Sequence, residues 1–388
     1  MTIVPTLPGP AGTQLRDEHP DDARSRTKPQ VLARITGWAM HSPAGDTPPA
    51  AAQSVLAGAS CASAVDPATA GPYARACRVP DFDRVRSLGR KGTRTMDRAT
   101  ALAVATVAGL GPDVVGHGRP DAVGTGLVLG TAMGSVQSTM DFTRDALTGD
   151  RPYLVDPARF PNTVMNFAAG QCAIWHGLRG PNATVIAGRV TGVAAVRYAI
   201  RLLTLGHARR VITGAVEELS PQRGWLESHL PGGPERLLGE GCGVLLLEPA
   251  ETGTAGPVGD VVAVETGLAA SPEATRRVLG RVAAAALDAL PPGAVLDVHA
   301  PYDDRPGSVE ADALTAALGG RPRPRVLPTT TTLGDSGAAS AVLQTQVALG
   351  ALHLRSTGRD GYALVTSLDT EGVVGALLLR HQWQDAPR

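Results

Sequence analysis

The sequence predicts a layered α/β fold made of two similar halves. Short apolar runs bounded by glycine and proline recur along the chain, and alanine-rich stretches lie between them. Runs that are apolar at every position are typical of strands covered on both faces. One turn-rich segment, at 249–259, interrupts this pattern near the middle of the chain. We therefore expect a first half over residues 31–250 and a second half over residues 260–388.

Each half contains five predicted strands. In the first half they lie at 31–40, 124–132, 184–188, 209–219 and 241–249. In the second half they lie at 259–269, 293–300, 324–330, 361–368 and 372–380. Helices are expected at 98–110, 193–206, 273–290 and 336–354. The similar content of the halves favours a duplicated fold, although no residue-level repeat is strong enough to prove the duplication.

Composition narrows the classes of partner and compartment. The chain has 388 residues, 43% of them hydrophobic, and a formal net charge of +0. Binding of nucleic acid needs a basic surplus, so we expect no nucleic acid partner. No apolar run approaches the roughly 20 residues that span a bilayer, and residues 1–30 lack an apolar signal core. Their proline, glycine and charge content predicts a flexible tail, and we expect a cytoplasmic protein without a membrane partner.

No cofactor or metal site is expected. The four cysteines, Cys61, Cys77, Cys172 and Cys242, are scattered without the close spacing of metal ligands, so we interpret them as reduced and mostly buried. The glycine-rich stretch at 124–135 lacks the GxGxxG spacing of a dinucleotide site, and no acidic residue follows at the required offset. We interpret it as a turn that opens a helix.

A strand-to-helix elbow is the most informative local feature. Segment 184–200, TVIAGRVTGVAAVRYAI, predicts a strand, a tight turn at Gly188 and a helix. Enzymes use such elbows to push one side chain into a pocket, and here that residue is Arg189. Its guanidinium is always protonated and offers no usable lone pair. A cation at a helix N-terminus also needs compensation, by an interfacial carboxylate, a cluster of backbone carbonyls or solvent.

The segments around this elbow resemble the β-ketoacyl synthases of the thiolase superfamily. FPNTVMNFAAGQCAIWHGLRGPNATV precedes the elbow, GHARRVITGAVEELSP follows it and LLGEGCGVLLLEP closes the half. The family motifs are FPxTxxNxxAGxxAIxxGLxGPxxTV, an ACASG-like elbow, GxxxVVxxGGxE and GEGAAxLVLE. The resemblance covers about residues 31 to 381. It implies an α/β fold of the thiolase type, a duplicated αβαβα layered arrangement.

The resemblance implies that the catalytic positions are degenerate. Arg189 stands at the family's nucleophilic cysteine, and His299 matches the first catalytic histidine, although APYDD replaces the glycine-threonine turn that follows it. Glu310 matches a family carboxylate. In TTTTLGDSGAASAV, which is one residue short, Thr330 falls on the lysine and Asp335 on the second histidine. The gating loop, SLDTEGVVGALLLR, has lost its aromatic residue. Neither the nucleophile nor the paired imidazole donors of malonyl decarboxylation remain.

Several roles stay open at this point. Arg189 either fills the former pocket, for example by pairing with Asp335, or faces solvent. We interpret His299 as structural. Glu217 and Glu218 are expected to end a strand and to bind backbone amides in the core or in an interface.

A ketosynthase-like chain without the cysteine resembles the chain length factors of type II polyketide synthases. Those proteins more often carry glutamine at the elbow, where this chain has Arg189. The resemblance implies a heterodimer with a catalytic ketosynthase subunit, and an acyl carrier protein that carries the growing polyketide, in an aromatic or a polyene pathway. The alternatives are a malonyl-carrier decarboxylase or acyltransferase without a cysteine nucleophile, and a homodimeric binding protein for acyl carriers.

The family arrangement also implies an acyl tunnel along the dimer face. Its expected wall is the helix in 131–147, TAMGSVQSTMDFTRDAL, with the extended segment 157–167, PARFPNTVMNF. The expected tunnel or interface residues, of which those of the first segment follow helical spacing, are Met133, Gly134, Gln137, Ser138, Met140, Arg159, Thr163, Met165 and Phe167. The small Gly134 and Ser138, together with Ser135, favour an open tunnel.

Overall fold

The computed structural model describes residues 31–383 except 231, 234, 252–257, 356 and 357. The predicted tail, residues 1–30, lies outside the described residues, and so does most of the predicted boundary segment.

Twelve strands and twelve α-helices make up the described fold. The strands are β1 Ala33–His41, β2 Ser63–Ala64, β3 Arg75–Ala76, β4 Thr125–Gly130, β5 Asn182–Val185, β6 Arg210–Glu217, β7 Gly241–Glu248, β8 Gly259–Leu268, β9 Val298–Ala300, β10 Arg325–Val326, β11 Gly361–Leu368 and β12 Val373–His381. The helices are α1 Pro48–Leu56, α2 Pro67–Ala70, α3 Arg84–Leu88, α4 Arg98–Ala108, α5 Val136–Thr148, α6 Phe167–His176, α7 Thr191–Thr204, α8 Pro221–Ser228, α9 Pro272–Asp288, α10 Val309–Leu318, α11 Thr329–Leu333 and α12 Ser340–Leu354. All four predicted helices are confirmed, and each of the ten predicted strands contains an observed strand. The predictions at 293–300 and 324–330 are too long, because β9 and β10 have only three and two residues and residues 329 and 330 begin α11. The two-residue strands β2 and β3 were not predicted.

The strand order repeats in the two halves. Ten strands form one sheet in the order β10-β9-β11-β12-β8-β1-β7-β6-β4-β5. Numbered within its own half, each set of five has the order 3-2-4-5-1. Each half pairs its second strand in parallel with its third and fourth, and its fifth strand antiparallel to its first and fourth. The halves meet where β1 runs antiparallel to β8. The topology therefore shows the duplication that residue patterns alone left unproven.

Helices cover both faces of the sheet halves and fill the space between them. α7 and α12 belong to the central hydrophobic cluster, and α12 is buried from Ser340 to Leu352. A helix that is apolar all round is typical of such a central layer. α4 and α6 supply a second cluster on the first half, while α9 and α10 supply a third on the second half. This layering confirms the thiolase-like αβαβα prediction.

Two local predictions in the expected tunnel wall are wrong. The helix α5 begins at Val136 with Ser135 as its N-cap, so Met133 and Gly134 precede it and do not share its face. Gly134 adopts a φ of 62°, in the left-handed region that favours glycine and cannot continue a helix. The segment Pro157–Thr163 forms a 3-10 helix instead of an extended segment. Its first residue is a proline, and the preceding Asp156 caps it, as is usual at helix starts.

Two expectations drawn from composition concern membrane-spanning helices and the state of the cysteines. No helix within the described ranges is long and apolar enough to cross a membrane. All four cysteines are unpaired, and three of them, including Cys172 on α6, are buried. Burial raises the pKa of Cys77 and of Cys242 to about 12, so these thiols stay protonated and pack as small apolar groups.

Candidate functional site

The elbow has the predicted shape. β5 ends at Val185, and Gly188–Val190 makes a single 3-10 turn before α7 begins at Thr191. Gly188 has a φ of 54°, and a Cβ at this position would clash with the carboxylate of Asp369. Glycine is therefore required both by the backbone conformation and by the close approach of an acidic side chain. The turn places the side chain of Arg189 at the tip.

The Arg189 guanidinium is buried among three carboxylates. Arg189 is 5% exposed. Its Nε donates to Asp335 Oδ2 at 2.9 Å, its Nη2 to Glu227 Oε2 at 2.9 Å, and its Nη1 to Asp369 Oδ1 at 3.4 Å. The backbone N–H of Arg189 also donates to Asp369 Oδ1 at 3.0 Å. The pairing with Asp335 is therefore confirmed, and the solvent-facing alternative is wrong. Carboxylates of the same chain compensate the cation.

Asp335 is held as an ionised carboxylate. Its Oδ2 accepts from the Tyr302 hydroxyl at 2.7 Å, and its Oδ1 accepts from the backbone N–H of Gly337 at 2.9 Å. Burial alone would raise the pKa of Asp335, but the Arg189 and Arg223 guanidinium groups outweigh burial and hold that pKa well below its usual range. Arg223 lies directly behind this residue, donating to its backbone carbonyl at 2.9 Å. The position that matches the second histidine thus carries a fixed negative charge.

His299 belongs to a separate hydrogen-bond group. Its Nε2 lies 2.9 Å from the Thr366 hydroxyl, which donates to Glu310 Oε1 at 2.6 Å. Burial lowers the pKa of His299 to about 3, so the ring is neutral at physiological pH. Among the described residues, this ring contacts Thr366 and not Arg189 or Asp335. His299 therefore does not join the Arg189 group, and Tyr302 lies beside Asp335 instead.

Three members of the Arg189 group were missed by sequence reasoning. Glu227 lies on α8, Asp369 follows β11, and Tyr302 follows β9. The first two are 38 and 180 residues from Arg189 along the chain. The only available signal was physical, namely that a buried guanidinium requires acidic partners. Asp369 lies in the loop that sequence analysis noted only for a lost aromatic residue.

Two further acidic residues bind backbone amides, as predicted. Glu217 Oε2 accepts from the N–H of Ala132 at 3.0 Å and of Ala338 at 3.4 Å. Glu218 Oε2 accepts from the N–H of Ala99 at 3.3 Å. Burial raises the pKa of Glu217 to about 7 and that of Glu218 to about 8. These carboxyl groups link the end of β6 to neighbouring backbone segments, among them the first turn of α4, and are placed for structure.

The structure places the predicted tunnel residues in several different surroundings. Gly134, Met165 and Phe167 line one narrow cleft of about 10 Å³. The Ser138 hydroxyl lies 2.9 Å from that of Ser135, which contacts Glu218 Oε1, so Ser138 faces the interior of this chain. On the outer side, Met140 is 49% exposed. The other predicted residues make local contacts, Gln137 with Asp141, Arg159 with Asp145 and Thr163 with the carbonyl of Phe160.

Comparison with protein families gives a match over the first half. The N-terminal domain model of the β-ketoacyl synthases matches residues 33–228. A curated relative, 3-oxoacyl-[acyl-carrier-protein] synthase 2 of Vibrio harveyi, is 26% identical over 239 residues, which is 56% of this chain and 57% of that protein. The chain thus spans little more than half the length of this relative.

Two solved structures share the fold over nearly the whole chain. "The ishigamide ketosynthase/chain length factor" has a TM-score of 0.80 and 36% identity, covering 90% of this chain and 99% of that chain. A β-ketoacyl synthase from Burkholderia phymatum STM815 has a TM-score of 0.73, with 91% of this chain and 100% of that chain covered, but at 17% identity it supports the fold alone. The family model covers half of this chain. The similarity to the ishigamide structure covers 90% of this chain and so extends into its second half. The chain belongs to the β-ketoacyl synthase family of the thiolase superfamily.

Proposed function

We propose that this chain is a non-catalytic ketosynthase-like subunit, a chain length factor, that pairs with an active ketosynthase and shapes its acyl tunnel. The observation that carries this proposal is the buried Arg189 at the position of the nucleophile. A guanidinium bound by three carboxylates has no lone pair with which to attack a thioester. The likeness of this chain to a structure named as a ketosynthase/chain length factor supports the same role.

The alternative of decarboxylation or acyl transfer without a cysteine has less support. Malonyl decarboxylation develops negative charge on an enolate oxygen, which needs hydrogen-bond donors. Beside Arg189, the ionised Asp335 repels such charge, and the Tyr302 hydroxyl already donates to it. His299, although neutral, hydrogen-bonds Thr366. The described residues at the elbow therefore favour a role in assembly over catalysis.

One edge of the sheet offers a surface for the partner ketosynthase. Within the described fold, β5 is the last strand of the sheet and pairs with β4 only. Ile186, directly after this strand, and Ile174, on the packed helix α6, are exposed. An open strand edge beside apolar side chains is typical of a surface that pairs with another chain. We infer that the ketosynthase covers this edge.

Ile174→Glu is expected to disrupt that pairing. The wild-type chain, carrying an affinity tag and co-expressed with a ketosynthase that has an intact cysteine elbow, should retain this partner at 1:1 stoichiometry. A buried charge at the centre of an interface is expected to lower retention by roughly 30-fold. The measurement is the ratio of the two chains after tandem purification.

Leu268→Glu is the matched control, because Leu268 is equally exposed but lies at the end of β8 in the second half. It should leave the ratio unchanged. A wild-type chain that purifies as a stable monomer, without affinity for any ketosynthase, would contradict the proposal. Equal losses for both variants would place the interface elsewhere.

The carrier protein is the second proposed partner. Residues 84–94, RVRSLGRKGTR, carry five cations on and after α3, all of them exposed, whereas the whole chain has a formal net charge of +0. Such a local excess attracts an acidic protein surface and accelerates encounter. We infer that this segment receives an acidic acyl carrier protein.

Reversing three charges, Arg86→Glu, Arg90→Glu and Lys91→Glu together, is expected to weaken carrier protein binding by about 10- to 100-fold at low salt. The measurement is titration of the purified complex with acyl carrier protein at low and at high salt. The difference in affinity between the wild type and the variant should be smaller at high salt. The control reverses Arg276, Arg277 and Arg281, which are exposed on α9. An equal effect of the control would show unspecific attraction and refute this docking site.

A further inference from the structure

A small polar pocket lies between α11 and the first turns of α12. It has a volume of about 10 Å³, and its lining includes Leu333, Leu343 and two threonines besides Ser336, Ser340 and Gln344. These three polar residues are at most 5% exposed. The Ser336 and Ser340 hydroxyl oxygens and Gln344 Oε1 have no hydrogen-bond partner among the residues that the structure describes. Buried polar groups in native proteins are almost always hydrogen-bonded, to the protein or to an ordered water molecule, so these three atoms require a partner.

The contacts of Gln344 restrict what the pocket can bind. Its Nε2 donates to the carbonyl oxygens of Ala300 at 3.1 Å and Thr366 at 3.2 Å. This fixes the amide, so Oε1 is the atom left for the pocket, and it can only accept. The two serine hydroxyls can either donate or accept. The occupant must therefore donate at least one hydrogen bond and be able to accept another.

Size and charge narrow the occupant further. About 10 Å³ of accessible space corresponds to roughly one water molecule. No charged side chain is among the lining residues, so nothing there compensates a bound ion. We propose that this pocket is a binding site for one ordered water molecule that bridges Ser336, Ser340 and Gln344.

The bridge has a positional consequence for the elbow. Ser336 directly follows Asp335, whose side chain binds Arg189, and the N–H of Gly337 completes that turn. Ser340 and Gln344 belong to the buried central helix α12. The water joins the turn to this helix, and so helps to hold Asp335 against Arg189. This site does not depend on a partner subunit, so its test is separate from that of the proposed function.

Two substitutions at Ser340 in the full chain separate a hydrated pocket from a dry one. Ser340→Ala removes one water ligand but keeps the space, whereas Ser340→Val fills the space and leaves Gln344 Oε1 unsatisfied. We expect the melting temperature of Ser340→Val to lie roughly 2–4 °C below that of Ser340→Ala. In a dry pocket the added methyl groups would fill apolar space, and Ser340→Val would be the more stable variant, which would overturn the proposal.

The control is Thr345→Val on the same helix. Thr345 is buried, and its hydroxyl donates to the carbonyl of Ala341, away from the pocket. A high-resolution crystal structure gives the direct test. We expect one spherical peak within about 2.7–3.2 Å of the three oxygens in the wild type and none in Ser340→Val. No peak in the wild type, or an anomalous signal there after a rubidium soak, would refute a water site.

Discussion

Arg189→Gln is expected to destabilise the protein by about 3–5 kcal/mol, the usual loss when one partner of a buried ion pair is removed. Glutamine keeps some hydrogen bonding but no charge, so Asp335, Glu227 and Asp369 would face each other in a buried site. Equilibrium unfolding by denaturant measures the change. A loss below about 1 kcal/mol would mean that the carboxylates reach solvent without the guanidinium.

A double-mutant cycle tests whether the carboxylate is the cause. Arg189→Gln combined with Asp335→Asn should cost less than the sum of the two single variants, because the second change removes the unpaired charge. Arg276→Gln is the control. Arg276 lies 3.4 Å from Asp312, but both side chains are more than half exposed. Its loss should stay within about 1 kcal/mol.

The effect of Arg189→Gln should also depend on pH. In the wild type the pKa of Asp335 lies below its unfolded value, so its ion pair stabilises the fold above about pH 4 and is lost below it. Without the Arg189 guanidinium, burial acts on Asp335 with less opposition and raises its pKa, so the folded variant binds a proton there more readily than the unfolded chain. The stability difference between wild type and variant should therefore shrink as pH falls from about 8 to about 5.

Arg189→Cys tests whether a thiol at the same position is enough for catalysis. A thiol at the elbow is expected not to create condensing or decarboxylating activity, because Asp335 remains where a donor is needed. Carbon dioxide release from malonyl carrier protein measures this for wild type and variant. Steady release by the isolated wild-type chain would refute the non-catalytic proposal.

The sequence predicted the fold better than it predicted the site. Apolar runs and family motifs are local, and they identified ten strands and the turn at Gly188. The Arg189 group depends on pairs far apart in the chain, such as Asp369 with Gly188, and no local pattern reports such pairs. His299 matched a motif, yet its ring hydrogen-bonds Thr366 and does not join the Arg189 group. A motif match thus fixed the position of this residue but not its partner.

The start of α5 shows a different reason for failure. The i, i+4 spacing of Met133 and Gln137 suggested one continuous helix. Gly134 in a left-handed conformation and the Ser135 cap set the boundary instead. Capping chemistry decides helix ends, whereas periodicity only indicates which face is apolar. The corrected boundary removes Met133 and Gly134 from α5.

Met140→Trp is expected to shift the products of the reconstituted complex toward shorter polyketides. Met140 is 49% exposed on the outer face of α5. We propose that this face of α5 also meets the partner and lines its tunnel. An extra ring in a packed wall costs about 1–3 kcal/mol, which disfavours chains that must pass it by roughly 10- to 100-fold. Mass spectrometry of the products measures the shift, while total turnover by the partner should be largely kept.

Two further variants on α5 serve as controls for Met140→Trp. Leu147→Trp adds similar bulk two turns further along the same helix, where Leu147 is 79% exposed, and should change the product distribution less. Ser138→Phe should instead destabilise this subunit, because Ser138 faces Ser135 and Glu218. Shorter products from Ser138→Phe with no change from Met140→Trp would place the tunnel on the inner face.

If every soluble variant left the products unchanged, α5 would not measure chain length. If Met140→Trp abolished the complex, this helix would serve assembly, because the wider side chain would then meet the partner's surface instead of its channel.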